Sequence, residues 1–135
     1  MNVIVTDTGF DSDGWNEPFT PLDEATETTG VLDVPADADL ETLLDKIPNL
    51  RMVRVDFPSA ADGRGFTLAR QLRLHGYTGR LRARGHVIAD QYAMARRVGF
   101  DEVEIAPDLA ARQPQDQWQF RANWRAHDYQ ARIRG

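Results

Sequence analysis

Residues 52–85 decide the fold class and read MVRVDFPSAADGRGFTLARQLRLHGYTGRLRARG. The stretch opens with a strand-like run that a proline ends, and residues 80–84 alternate arginine with small apolar residues, as a second strand does. Between them, residues 65–75 have apolar side chains at helical spacing, and Gly76 ends that helix. A strand, a helix and a strand predict two parallel strands joined by a right-handed crossover. The spacing predicts that the helix buries Phe66, Ala69 and Leu72 and exposes Arg70 and Arg73.

The same alternation continues on both sides of this stretch. A strand and a helix precede it, and a helix, a strand and a final helical region follow it, over residues 30–34, 39–47, 88–98, 103–105 and onward from 108. Residues 30–125 therefore predict an α/β fold with an open parallel sheet of about four strand–helix units. The arrangement of that sheet stays open between a flavodoxin-like order and a half-barrel-like arc.

The length of 135 residues is typical of a single domain. We divide it into three parts. Residues 1–29 form an acidic hairpin or loop arm that starts with a strand at Val3–Val5, residues 30–125 form the strand–helix core, and residues 126–135 form a polar tail.

The composition excludes several kinds of site. The chain has no cysteine, which excludes disulfides, thiol chemistry and cysteine-ligated iron–sulfur clusters. The three histidines are far apart and lack a metal-site spacing, so no metal is expected. No apolar run is long enough to cross a membrane, and the first residues lack a secretory signal, so we expect a cytoplasmic protein. The net charge of −5 and the short basic runs argue against nucleic-acid binding.

That net charge hides an uneven distribution. Residues 1–50 contain 12 acids and one base, Lys46, whereas residues 51–135 contain 15 arginines and 9 acids. Arginine suits bidentate binding of carboxylates, phosphates and sulfur oxyanions. Two interpretations stay open: the arginines bind an anionic ligand, or the acidic first part of the chain pairs with them.

Two predicted strand-to-helix corners bring arginine next to glycine and acids. Backbone N–H groups at a helix start favour an anion, and the carboxyl ends of parallel strands lie at one edge of a sheet. The candidate anion-binding residues are Asp62, Gly63, Arg64, Arg82, Arg84, Asp90 and Gln91. The alternative is structural, with Asp62 as a helix cap, glycines that relieve the backbone, and arginines paired with acids. His86 is either a proton-transfer group beside Asp90 or an exposed neighbour of a helix start.

The aromatic residues near the C-terminus suggest a partner surface. Trp118 and Ala122 share one helical face, and Phe120 and Trp124 share another. Trp118 and Trp124 are the candidate partner residues, on the interpretation that one face packs on the core and the other meets a partner. The alternative is a helix that wraps the sheet.

A family resemblance extends over about residues 53–105. The residues that carry it are Phe57-Pro58, Asp62-Gly63-Arg64-Gly65-Phe66, Ala69, Leu72-Arg73, Gly76-Tyr77, Gly79, Leu81-Arg82-Ala83, Gly85, Asp90-Gln91 and Gly99-Phe100-Asp101. With these residues the chain resembles a bacterial domain family of unknown function whose members are labelled as oxidoreductases involved in sulfite reduction. Trp15 and the acidic lead-in also resemble the family's amino-terminal part.

The resemblance implies a role beside assimilatory sulfite reductase, and it implies the pathway more than the reaction. Sulfite reduction depends on redox cofactors, and the chain has no cysteine, haem-ligating, flavin or nicotinamide motif. Three hypotheses stay open. The protein is an accessory protein that binds a small oxyanion or docks on sulfite reductase or another sulfur-assimilation enzyme, an oxidoreductase of sulfur metabolism with an unknown cofactor, or a non-catalytic interaction module. Whether it is an enzyme stays open as well.

Overall fold

The computed structural model describes residues 2–122, which contain seven strands and five α-helices. The strands are β1 (Val3–Thr6), β2 (Gly9–Asp11), β3 (Thr20–Pro21), β4 (Val31–Val34), β5 (Met52–Phe57), β6 (Arg80–Gly85) and β7 (Glu102–Ile105). The helices are α1 (Glu41–Leu44), α2 (Arg64–Leu74), α3 (Tyr92–Val98), α4 (Pro107–Arg112) and α5 (Gln115–Phe120). Short 3-10 turns occupy Leu22–Glu24, Ile47–Asn49 and Ala89–Gln91.

These strands form one open sheet in the order β2-β1-β7-β6-β5-β4-β3. Strands β3 to β7 are parallel and stand in chain order, while β1 pairs antiparallel with both β7 and β2. The α/β class, the four strand–helix units and the N-terminal hairpin are therefore confirmed. In a flavodoxin-like sheet the order of the strands reverses part-way across the sheet. The order of β3 to β7 does not reverse, so it matches the half-barrel-like alternative. Crossovers of the usual right-handed kind that run in one direction place their helices on one face of a sheet, and here residues of all five helices join one hydrophobic core.

The face of the sheet that the helices cover is apolar. Alternate strand residues point to it, and its centre is inaccessible to solvent at Leu32, Val53, Val55, Leu81, Ala83 and Val103. The α2 residues Phe66, Ala69 and Leu72 are buried in the same core, as their spacing predicts. Phe66 also packs on Phe57 and Phe100, with ring centroids 4.8 and 6.4 Å away. This core fixes the strands whose carboxyl ends form the candidate site.

The helices before and after this central part are shorter than the spacing predicts. Residues 39–47, which have apolar side chains at helical spacing, form only the single turn α1. The chain then enters a 3-10 turn that contains Pro48. The final helical region is divided into α4 and α5, with Pro114 at the N-cap of α5. In both places proline lacks the N–H that a continuing helix requires.

The prediction that Arg73 lies on the solvent face of α2 is wrong. Its guanidinium donates to the carbonyl oxygens of Tyr77 at 3.1 Å, Gly79 at 2.7 Å and Gly99 at 2.7 Å. The loops after α2 and α3 therefore meet around one arginine, which satisfies backbone carbonyls outside the helices and strands. Arg70 is exposed, as predicted.

Candidate functional site

The second face of the sheet carries a network of ion pairs. Strand residues alternate between faces, and the register of β4 to β7 brings Asp33, Arg54, Arg82, Glu102 and Glu104 together on this face. Arg82 is fully buried and donates to Glu102 Oε2 at 2.5 Å and to Glu104 Oε1 at 2.8 Å. Arg54 donates to both oxygens of Asp33, at 2.6 and 2.7 Å, and to Glu104 at 3.1 Å. We call these five residues the ion-pair network.

Residues 12–19, a part of the predicted acidic region 1–29, contact this network. From here on the term arm means residues 12–19 only. Asp13 accepts two hydrogen bonds of 3.1 Å from Arg82. The ring centroid of Phe19 lies 3.7 Å from the guanidinium carbon of Arg54, which is a cation–π distance. Further ion pairs between the first 50 residues and later arginines join Asp7 to Arg96, Glu17 to Arg51 and Asp33 to Arg54. Pairing within the chain therefore accounts for part of the uneven charge distribution.

Hydrogen bonds lower the pKa of two carboxylates that contact Arg82, those of Glu104 and Asp13. Burial by itself raises the pKa of Glu104, but hydrogen bonds from Asn2 and two arginines outweigh it and hold that pKa below its ordinary value. Burial also opposes ionisation of Asp13, yet Arg82 and the backbone N–H of Trp15 lower its pKa. For Arg82, burial disfavours the cation, but the surrounding carboxylates raise the pKa above its ordinary value. The network is therefore a set of mutually stabilised charges.

The predicted anion-binding residues do not converge on one site. Arg82 is completely buried within the ion-pair network, so it offers no donor to a ligand at the sheet edge, contrary to our expectation. Arg64 forms an exposed ion pair of 2.7 Å with Asp62 at the start of α2. Hydrogen bonds from Arg64 lower the pKa of Asp62 to about 2. At this corner the structural alternative describes the contacts.

The second corner also uses its polar groups internally. Both ends of the Gln91 amide bond to backbone groups, at 3.1 and 2.7 Å. Asp90 pairs with Arg121 at 2.7 Å. His86 does not contact Asp90; its Nδ1 lies 3.3 Å from the carbonyl oxygen of Phe57. Within the described residues, His86 therefore has no carboxylate partner for proton transfer.

The corner glycines have reasons of packing. Gly85 has a φ of +114°, and a Cβ there would lie 2.6 Å from the carbonyl oxygen of Phe57. A Cβ on Gly65 would lie 2.5 Å from the Phe57 ring, whereas one on Gly63 would meet open space. Close approach to Phe57 therefore explains Gly65 and Gly85 without a bound anion.

Arg84 differs from the other candidates because it lies in a cavity at the carboxyl edge of the sheet. We call this cavity, of about 710 Å³, the edge pocket. It is lined by Pro21, Leu22, Asp23, Asp33, Val34, Pro35, Thr42, Lys46, Asp56 and Arg84. The side chain of Arg84 is 44% exposed, and Glu104 lies 3.8 Å from it, beyond hydrogen-bond distance. Unlike Arg82, Arg84 therefore keeps its N–H donors available to a ligand.

Besides Arg84, four charged residues line the edge pocket, and none of them was predicted as a site residue: Asp23, Asp33, Lys46 and Asp56. Asp56 is the register neighbour of Arg84 across β5 and β6, and its carboxylate makes no hydrogen bond or ion pair within residues 2–122. Lys46 follows α1, and its ammonium donates to the carbonyl of Thr42 at 3.0 Å. The available signal was alternation along β5, which places Asp56 on the same face as Arg54, one step nearer the carboxyl end.

Trp118 belongs to the core, which corrects its assignment to a partner surface. Its side chain is 1% exposed, its Nε1 donates to the carbonyl of Gln113 at 2.9 Å, and its ring packs edge-on against Tyr92. Phe120, from the opposite face of α5, is 70% exposed. Trp124, the other predicted partner residue, lies outside the described residues.

The described part of the chain has neither a cluster of metal ligands nor a helix that could cross a membrane. Between residues 2 and 122, no three or more histidine, aspartate and glutamate side chains form a group that could hold a metal ion. In the same range, no helix has both the length and the apolar character that a membrane crossing requires.

Comparison with protein families matches residues 31–135 to the family described as "Bacterial protein of unknown function (DUF934)". The chain belongs to this family. The match begins at the first residue of β4 and includes Arg54, Asp56, Arg82 and Arg84, while the arm precedes it. The predicted resemblance to a bacterial family of unknown function is thereby confirmed. Comparisons with curated proteins and with solved structures find no match.

Proposed function

We propose that this DUF934 protein is an accessory protein of assimilatory sulfite reduction and that it binds a small oxyanion in the edge pocket. The sequence resemblance supports the pathway. One structural observation supports the site: Arg84 is half-exposed at the carboxyl edge of the sheet with its donors available, whereas Arg82 is buried and fully paired. Ligands of open α/β sheets bind beyond the carboxyl ends of the strands.

Two cations of the edge pocket can hold an anion there, although Asp23, Asp33 and Asp56 also line it. Lys46 adds a second cation to the same pocket. Apolar walls from Pro21, Leu22 and Pro35 reduce the exposure of the bound charge to water, which strengthens its attraction to the guanidinium. Arg64, by contrast, already has a carboxylate at 2.7 Å.

Calorimetric titration with sulfite and with sulfate tests this site. We expect binding heat in the wild type, and an affinity at least about tenfold lower in Arg84→Ala, because a charge-assisted hydrogen bond contributes more than 1 kcal/mol. Arg70→Ala, which removes an exposed arginine of α2, is the matched control and should bind as the wild type does. No heat with either anion, or a loss in Arg64→Ala with Arg84→Ala unchanged, would contradict the proposal.

Docking on sulfite reductase is a second candidate, favoured by the exposure of Phe120. Phe120 is 70% exposed, and aromatic side chains are enriched among the residues that dominate binding at protein interfaces. Retention of sulfite reductase on the immobilised protein should fall in Phe120→Ser. It should not fall in Leu74→Ser, which removes an apolar side chain of similar exposure, 66%, from α2. Equal retention by both variants would contradict docking through Phe120.

A further inference from the structure

We infer that the edge pocket binds a small zwitterion of the amino-acid class, with its carboxylate on Arg84 and its ammonium group on Asp56. This inference rests on the proposed function in one respect, because it uses the same pocket and the same arginine as the anchor of the anionic group. It adds a required cationic group and therefore narrows the chemical class of the ligand.

The pairing of charges along the sheet changes toward the carboxyl edge. In the inner row, Arg54 and Arg82 are register neighbours, and each has carboxylate partners within 3.1 Å. In the edge row, Asp56 and Arg84 are also register neighbours, yet they form no ion pair with each other. On this face, both arginines of the inner row are fully paired. The edge row keeps one available acceptor, the carboxylate of Asp56, and one available donor, the guanidinium of Arg84.

Asp56 makes a simple oxyanion an incomplete match for this pocket. Its partly buried carboxylate loses hydration and has no protein donor to replace it, which costs free energy. A sulfate or sulfite bound on Arg84 would add negative charge near this carboxylate and leave its acceptors unused. An ammonium group on the same ligand supplies the missing donor and cancels the repulsion.

The remaining walls fit the rest of such a molecule. Lys46 lines the pocket as a second cation for the ligand carboxylate. Asp33 and Asp23 also line it, but Arg54 occupies both oxygens of Asp33 and Asp23 is exposed to water, so the partly buried Asp56 is the better site for an ammonium group. Leu22 and Pro35 provide apolar contacts for a short side chain.

A titration of the full chain with the twenty proteinogenic amino acids, their N-acetyl derivatives and sulfate tests the inference. We expect at least one free amino acid to bind about tenfold or more tightly than its N-acetyl derivative, which keeps the carboxylate but lacks the ammonium group. In Asp56→Asn this ratio should fall below about threefold, whereas in Arg84→Ala both forms should bind weakly. Asp116→Asn, an exposed acid of α5, is the control and should keep the wild-type ratio.

The outcomes separate this inference from the proposed function. Sulfate binding that depends on Arg84, with no preference for any free amino acid, would overturn the zwitterion and leave the oxyanion site standing. Binding of a free amino acid that depends on Asp56 and Arg84, without binding of sulfite or sulfate, would overturn only the oxyanion. Binding of none of these probes by folded protein would overturn both. Circular dichroism spectra that match the wild type establish that each variant is folded.

Discussion

The two faces of the sheet are buried by different means, although the same strands build both. On the apolar face, residues such as Leu81 are covered by helices, and burial of this kind is non-directional, so neighbours adjust to a change. On the charged face, Arg82 is just as inaccessible, but it depends on carboxylates at 2.5 to 3.1 Å in fixed directions. The sheet face that lacks crossover helices therefore forms a polar core, which the arm covers in part.

Removing Arg82 should have the largest effect on stability. Arg82→Ala removes the fully buried counter-charge of Glu102 and Glu104, whose side chains are 4% and 5% exposed, and leaves them paired with Arg80 and Arg54. We expect the free energy of unfolding to fall by about 3–5 kcal/mol, as when one partner of a buried ion pair is removed. Urea unfolding followed by circular dichroism measures this change.

Two controls relate this effect to the rest of the molecule. Leu81→Ala, at the adjacent position on the apolar face, should cost about 3 kcal/mol through a cavity. Arg51→Ala removes the exposed pair with Glu17 and should cost less than about 1 kcal/mol. If Arg82→Ala were no more destabilising than Arg51→Ala, the charged face would not be a core, and the comparison of the two faces would fail.

The sequence was sufficient to predict the strand–helix units because their signals are local. The β5–α2–β6 unit is specified by a β-branched strand, a helical spacing of Phe66, Ala69 and Leu72, and Gly76. Every one of these signals lies within a few residues of the element that it defines. The sheet order was left open because it depends on which strands pair, and no local signal encodes that.

The candidate site was harder to predict because it depends on contacts between distant segments. Arg82, between Leu81 and Ala83, has the pattern of a solvent-facing strand residue, and only the pairing of β6 with β7 places Glu102 and Glu104 beside it. The edge pocket likewise combines Lys46 and Asp56 from separate strand–helix units. Sequence reasoning identified Arg84 but also grouped it with arginines that the fold pairs elsewhere.

Acid should weaken the charged face more than the apolar one. Because the pKa of Glu104 in the fold lies below its ordinary value of 4.5, its ionisation stabilises the protein above that pH. This contribution is lost as the pH falls from about 4.5 through the lowered pKa. The destabilisation caused by Glu104→Gln should therefore be largest near neutral pH and shrink toward about pH 3.

Urea unfolding of both proteins across this pH range is the measurement. Leu81→Ala provides the comparison, since it removes apolar contacts and no titrating group, so its destabilisation should stay nearly constant with pH. If the destabilisation caused by Glu104→Gln were as independent of pH as that caused by Leu81→Ala, the pKa of Glu104 would be the same in the folded and unfolded chains.

The contact between the arm and the network should give the smallest of these effects. Phe19→Ala removes the ring that lies 3.7 Å from the guanidinium carbon of Arg54, and we expect a loss of about 1–2 kcal/mol in the free energy of unfolding. Phe19→Leu keeps much of the apolar area but has no aromatic ring, so the difference between the two variants measures the aromatic contribution. Both are compared by urea unfolding with the wild type.

The result also tests whether the arm and the helices cover their faces in the same way. If the arm acts mainly through apolar area, Phe19→Leu should be close to the wild type, and the charged face would be covered by the same force as the apolar one. If it acts through the attraction between ring and cation, Phe19→Leu should be nearly as destabilising as Phe19→Ala. We expect the second result, because Arg54 is held in place by Asp33 and Glu104 beneath the ring. An unchanged stability in both variants would mean that the Phe19 ring contributes nothing to the polar core.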